Sequence, residues 1–116
     1  MKRIIWMGRT RADLKEFPDR VRRAVGHGLH GVQTGIIPAH AKIFKGVGNA
    51  KVWELRENDP SGTYRALYTI EFKDCVVVLH VFQKKSKTGI ATPKLEIEMI
   101  MQRLKDARDL YKSGKL

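Results

Sequence analysis

The chain has 116 residues, carries 23 Lys and Arg against 12 Asp and Glu, and has a formal net charge of +11. That length fits one domain over residues 1–116 and leaves no room for two, and its 42% hydrophobic content is too high for a disordered basic tail. Cys75 is the single cysteine, which excludes an internal disulfide and any Cys-based zinc cluster. The longest apolar run, Cys75–Phe82, spans eight residues, includes His80 and is too short to cross a bilayer. No apolar stretch with a small-residue cleavage site opens the chain. The expectation is a small, soluble, basic, cytoplasmic domain with no membrane partner.

Residues 2–6 read as a short first strand. A helix follows from about Thr10, with Thr10 or Asp13 as its cap, and a second helix opens at Pro18, a residue tolerated in a first helical turn. Phe17, Val21, Val25, Leu29 and Val32 recur at the spacing of a core-facing stripe, and Gly35 is a natural stop. Residues 36–50 read as loop. The period then changes to that of a sheet. Lys51–Glu57 forms one strand, residues 58–62 a turn, and Thr63–Phe72 a second strand. Lys73-Asp74 makes a two-residue hairpin loop, and Cys75–Gln83 is a third strand, apolar on both faces and therefore interior. Pro93 opens a final helix with Leu95, Met99, Leu104 and Ala107 turned inward. The order β-α-α-β-β-β-α defines a small α+β domain: a mostly antiparallel sheet packed against N-terminal helices and a C-terminal helix.

A strongly basic balance suits a polyanion, nucleic acid first, and equally an ordinary solvated surface or one facing an acidic protein. Residues 1–50 hold ten Lys/Arg and three acids, and the stretch Gln83–Leu95 holds four lysines and no acid. Strand alternation puts Arg56 with Glu54, and Arg65 with Leu67 and Thr69. Arg56 and Arg65 flank the 58–62 turn, so they can face each other across a hairpin, an arrangement that costs stability unless an anion sits between them. Pairing with Glu54, Glu57 or Glu71 is the other reading. Lys84 and Lys85 leave the last strand where the core ends. Crowding by cations lowers a lysine's pKa and makes it a usable proton donor. A solubilising loop is the plainer account. His27 and His30, three apart on the second helix, could chelate, but no third ligand is evident and a surface pair fits better. His80 reads as a satisfied core histidine, with an active-site role as the minor alternative, and His40 lies near Lys42 and Lys45. Tyr64 and Tyr68 fall on the strand face opposite Arg65. No phosphate-binding Gly-rich motif is present, which removes nucleotide-dependent chemistry.

Trp53-Glu-Leu-Arg56, Thr63-Tyr-Arg-Ala-Leu-Tyr68, Val77-Val-Leu-His-Val-Phe-Gln-Lys-Lys85 and Lys87-Thr88 resemble the HigB-like, phage-derived branch of the RelE/ParE toxin superfamily. Leu29-x-x-Val-Gln-x-Gly35 and Lys45-Gly46 fit the same pattern, and the likeness runs over roughly residues 3–108. The resemblance implies a compact α+β fold and the toxin of a type II toxin–antitoxin pair. Its activity would be cleavage of mRNA on the ribosome without a metal or small-molecule cofactor, inhibiting translation. By that likeness Arg65 holds the scissile phosphate, and Lys84 or Lys85 stabilises the transition state or protonates the leaving 5′ oxygen. Arg56 is an accessory phosphate clamp, with Lys45, Lys87, Arg22 and Arg23 gripping RNA. The implied partners are a helix-turn-helix antitoxin, the ribosome and mRNA. The chain departs from the family in lacking a tyrosine between 86 and 110 and any histidine after His80, which leaves the general base unassigned. The superfamily also contains ParE-like proteins that inhibit DNA gyrase and cleave nothing, and that is the alternative function.

Overall fold

The computed structural model describes residues 1–84 and 92–116. In chain order the elements are β1 (Arg3–Trp6), α1 (Thr10–Lys15), α2 (Asp19–Gln33), β2 (Ala41–Ile43), a single 3-10 turn (Lys45–Val47), β3 (Trp53–Asp59), β4 (Gly62–Thr69), β5 (Cys75–Lys84) and α3 (Lys94–Lys112). The five strands form one sheet in the order β1-β5-β4-β3-β2. All neighbours are antiparallel except β1, which runs parallel to β5 with Arg3 opposite Cys75 and Trp6 opposite Val78.

Two apolar clusters cover the two faces of the sheet. On one face Val21, Val25, Leu29 and Val32 of α2 pack on Leu55, Tyr64, Ala66, Tyr68, Val76 and Val78. The four valine and leucine positions are at most 5% exposed, so the stripe read from the sequence is the buried face of α2. On the other face Ile100, Leu104 and Ala107 of α3 cover Leu67, Cys75, Val77 and Leu79. A strand with helices on both sides must be apolar on both faces, as β5 is.

The structure departs from the sequence reading in four places. Part of the 36–50 segment is strand: β2 pairs with β3 through Ala41↔Leu55 and Ile43↔Trp53, which makes it an edge of the sheet. Three residues are too few for an alternating pattern to register. The β4–β5 connection spans residues 70–74 rather than two residues, because Ile70 and Phe72 leave the ladder to pack into the two clusters. Thr10 is not a cap: it is the first helical residue of α1 and its hydroxyl is buried without a hydrogen bond to any described residue. On α3, Leu95 is 76% and Met99 42% exposed. Leu104, Ile100 and Ile97 step back by four and three along one face, and at 100° per residue Leu95 and Met99 fall on the opposite side.

One irregularity sets the site. Along β4 and β5 the pairs run Tyr68↔Val78 and then Leu67↔His80, so Leu79 is an extra residue in β5. This bulge lets Leu79 and His80 both face α3, after which Phe82 and Lys84 keep to that side.

Candidate functional site

The β3–β4 hairpin turns through Pro60 and Ser61, with Asp59 paired to Gly62. Gly62 has φ +140°, and a Cβ there would lie 2.7 Å from Gln83 Nε2, so the position takes glycine on both counts. This turn fixes the register that puts Arg56 directly opposite Arg65. Both project from the α3 face, together with Glu54, Phe82 and Lys84, because directly paired residues share a face.

Glu54 resolves the repulsion between the two arginines. Its Oε2 accepts a bond from Arg65 Nη1 at 3.2 Å and its Oε1 one from Arg56 Nη2 at 3.1 Å. Glu54 is 5% and Arg65 8% exposed, whereas the Arg56 side chain is 45% exposed. Arg65 Nη1 also donates to Thr92 Oγ1 at 3.1 Å, just before α3 begins. Arg65 Nε is buried with no hydrogen-bond partner among the described residues, a costly state for a charged donor inside a fold. Lys84 has its pKa pushed below the ordinary lysine value, first by partial desolvation, then by the charges of Arg65 and Arg56; Glu54 opposes the shift.

A second polar chain lies next to this one on the same face. Arg103 Nη1 approaches His80 Nδ1 at 3.1 Å and the Leu79 carbonyl at 3.0 Å, and His80 Nε2 lies 2.7 Å from Glu96 Oε2. With Arg103 donating to Nδ1, the imidazole proton is on Nε2 and is given to Glu96, an assignment made from the bonding pattern. The His80 ring stacks on Phe82 with centroids 5.1 Å apart. Glu96 and Arg103 are seven residues apart, two helical turns, so α3 reaches His80 with both at once. His80 is 6% exposed and satisfied on both nitrogens, the core-histidine reading.

The structure thus brings together Arg56, Arg65 and Lys84. Lys85 and Lys87 lie outside the described residues. Lys45 is exposed in the 3-10 turn, which packs against α3. Arg22 and Arg23 lie on α2, against the opposite sheet face from Arg65, and Arg22 pairs with Asp19 at 3.0 Å. Strand alternation was enough to place Glu54 beside Arg56. Thr92 and the Glu96–His80–Arg103 chain were missed. The seven-residue spacing on α3 was a usable signal, whereas nothing in the sequence marks the bulge that turns His80 toward it. Among the described residues, no group of three or more His, Cys, Asp or Glu is arranged to hold a metal ion. No described helix is long and apolar enough to cross a membrane.

A five-stranded sheet with two N-terminal helices on one face, one C-terminal helix on the other and a cationic hairpin beside that helix defines the RelE-type toxin fold. A chain in the crystal structure of the RelBE2 toxin–antitoxin complex from Mycobacterium tuberculosis matches with a TM-score of 0.51 and 26% identity, covering 72% of this chain and 98% of that one. The chain belongs to the family described as "Phage derived protein Gp49-like", whose model matches residues 12–105. No curated protein sequence matches it.

Proposed function

We propose that this protein is the toxin of a type II toxin–antitoxin pair and that it cleaves mRNA on the ribosome, in the cytoplasm, at the Arg56/Arg65/Lys84 face. The observation that carries the reading is the state of Arg65: a buried guanidinium, tied to one carboxylate, whose Nε has no partner among the described residues. Among the described residues, two further cations, Arg56 and Lys84, and one anion, Glu54, stand around it. A surplus of fixed positive charge at a half-enclosed spot is what a phosphodiester needs as it passes through a dianionic transition state.

The neighbouring 2′-hydroxyl attacks phosphorus, the P–O5′ bond breaks, and a 2′,3′-cyclic phosphate and a 5′-hydroxyl result. Arg65 holds the phosphate and Arg56 clamps it from the solvent side. The proton of the attacking hydroxyl, for which the sequence offered no base, goes in this reading to Glu54, the carboxylate bonded to Arg65 Nη1 at 3.2 Å. Lys84, with a depressed pKa, gives a proton to the departing O5′. Lys85 is the alternative donor, Lys45 and Lys87 hold flanking RNA, and Arg22 and Arg23 contact ribosomal RNA from the far side of the sheet. The protein partner is a helix-turn-helix antitoxin encoded beside this gene. The toxin–antitoxin nature of the matched structure supports an antitoxin partner.

Expression of wild type, Arg65→Ala, Lys84→Ala and Lys85→Ala, with growth and transcript ends mapped, tests the reading. Growth arrest with in-frame mRNA cuts, lost in Arg65→Ala and in at least one lysine variant, is the expected result. Arrest with intact transcripts and altered DNA supercoiling would replace it with the gyrase-inhibitor function.

A further inference from the structure

His80 sits where the backbone departs from regularity to receive it. The extra residue Leu79 turns the imidazole toward α3 and leaves a carbonyl that Arg103 Nη1 reaches at 3.0 Å. The same nitrogen donates to His80 Nδ1 at 3.1 Å. Gly8, at φ +55°, makes room for that arginine: a Cβ there would lie 2.6 Å from Arg103 Nη2. The other ring nitrogen gives its proton to Glu96 Oε2 at 2.7 Å. A leucine in place of His80 would continue the apolar run of β5 with none of this, and apolar packing of the same shape is commonly as stable as a buried polar chain. What the polar chain adds is direction: it fixes the ring and the helix that the ring grips.

Two routes lead from His80 to the Arg65 guanidinium. The imidazole stacks on Phe82, with centroids 5.1 Å apart, and Phe82 is the direct cross-strand neighbour of Arg65. The bond to Glu96 holds the first turn of α3, and one turn earlier Thr92 Oγ1 accepts from Arg65 Nη1 at 3.1 Å. Nη1 has two protons, and Glu54 and Thr92 are its two acceptors. That fixes the plane of the guanidinium and leaves its other edge, Nε with Nη2, the fork that takes two phosphate oxygens at once. The two acceptors are placed differently. Glu54 is set by the β3–β4 register, whereas Thr92 lies in neither strand nor helix, so its place depends on where α3 begins. Ile97 and Ile100 press that end of α3 onto the sheet, but apolar contact has no direction and permits sliding. The Glu96–His80 bond does not.

We infer that His80 and Glu96 are positioning residues for the phosphate site. Clamped by Arg103, they fix the start of α3, so that Thr92 holds the Arg65 guanidinium in the orientation that leaves its Nε–Nη2 edge for the scissile phosphate. This rests on the nuclease reading above and adds to it residues that touch no substrate.

The experiment is single-turnover cleavage of ribosome-bound mRNA by the full chain over a range of protein concentrations. Tm and the ¹⁵N signal of Arg65 Nε–H, assigned by its absence in Arg65→Lys, are recorded on the same proteins. Glu96→Ala, at a side chain 28% exposed, and Thr92→Val should each lower the saturating rate about tenfold or more and leave the half-saturating concentration nearly unchanged. The double variant should be no slower than the slower single, because both changes break one chain. Glu96→Gln still accepts the imidazole proton and Thr92→Ser keeps the hydroxyl, so both should cleave as wild type does. The Arg65 Nε–H signal should move in Glu96→Ala and Thr92→Val and stay in place in Glu96→Gln, Thr92→Ser and Met99→Ala, the last an exposed position on the same helix. A lowered Tm in Glu96→Ala with an unchanged saturating rate overturns the inference, leaving the chain a contact for stability alone. So does an additive loss in the double variant, or a Glu96→Gln protein as slow as Glu96→Ala. If wild type cleaves no mRNA, the nuclease reading falls instead. The hold on Arg65 is then judged by its Nε–H signal: it stands if Glu96→Ala moves that signal and falls if it does not.

Discussion

Glu54→Gln keeps the shape of the side chain and removes the one negative charge between Arg56 and Arg65. The Arg65–Glu54 pair is enclosed, with side chains 9% and 6% exposed, so deleting one partner leaves an uncompensated buried cation. Such deletions cost about 3–5 kcal/mol. The glutamine still accepts one hydrogen bond, which points to the lower end of that range. Arg56, 45% exposed, adds less than about 1 kcal/mol. The expected loss is thus about 3–4 kcal/mol, a large part of the ~5–15 kcal/mol of a typical domain. At about 4 °C per kcal/mol for a chain this size, Tm falls by roughly 12–16 °C. Urea unfolding followed by Trp6 and Trp53 fluorescence measures it. Two companion measurements isolate the cause. Glu54→Gln/Arg65→Met, which removes both charges, should be more stable than Glu54→Gln alone, and inorganic phosphate should raise the Tm of Glu54→Gln more than that of wild type. A loss below about 1 kcal/mol, with the double variant no better, would refute the claim that Glu54 holds the two arginines together.

On α3, Ile100→Ala should cost about 2–5 kcal/mol by urea unfolding, because Ile100 is fully buried, while Leu95→Lys should be near neutral. Tyr68, buried in the sheet, has its pKa pushed up by burial from 10.0 to about 12. The folded state then binds its proton more tightly than the unfolded state. The stability this contributes is complete below pH 10 and is lost as pH rises through about 12. Absorbance at about 295 nm should show one tyrosine ionising late, and Tyr68→Phe should remove that late step. If Lys84 is the proton donor, the alkaline limb of single-turnover cleavage should lie below the ordinary lysine value of 10.5 and vanish in Lys84→Ala; an unchanged limb would move the role elsewhere.

Local chemistry made much of this fold legible. The α2 stripe, the Gly35 stop at φ +90° and the doubly apolar β5 each follow from a periodicity or a backbone requirement that one segment carries alone. The Arg56–Arg65 juxtaposition was legible too, because a short turn ties the register to the sequence. What failed needed information from elsewhere in the chain. Leu95 and Met99 share a helical pattern with Leu104 only if the wrong face is taken as buried, and the sheet decides the face. The bulge at Leu79 depends on how β5 fits β4 and α3, and no residue type announces it. For the same reason His80 looked like an isolated polar residue in an apolar strand, although α3 supplies both of its partners.

The parallel pairing of β1 with β5 brings Arg3 beside Cys75, so the first strand waits for a partner 72 positions further along the chain. The β3–β4 hairpin asks far less, since its widest pair, Trp53 with Tyr68, closes a loop of 15 positions. Closing a short loop is entropically cheaper, and structure that depends on distant segments forms slowly. The arginines and their carboxylate therefore belong to the earliest-assembling part of the sheet and β1 to the last. A nascent or partly unfolded chain can hold the cationic pair in place before the rest of the molecule has closed around it.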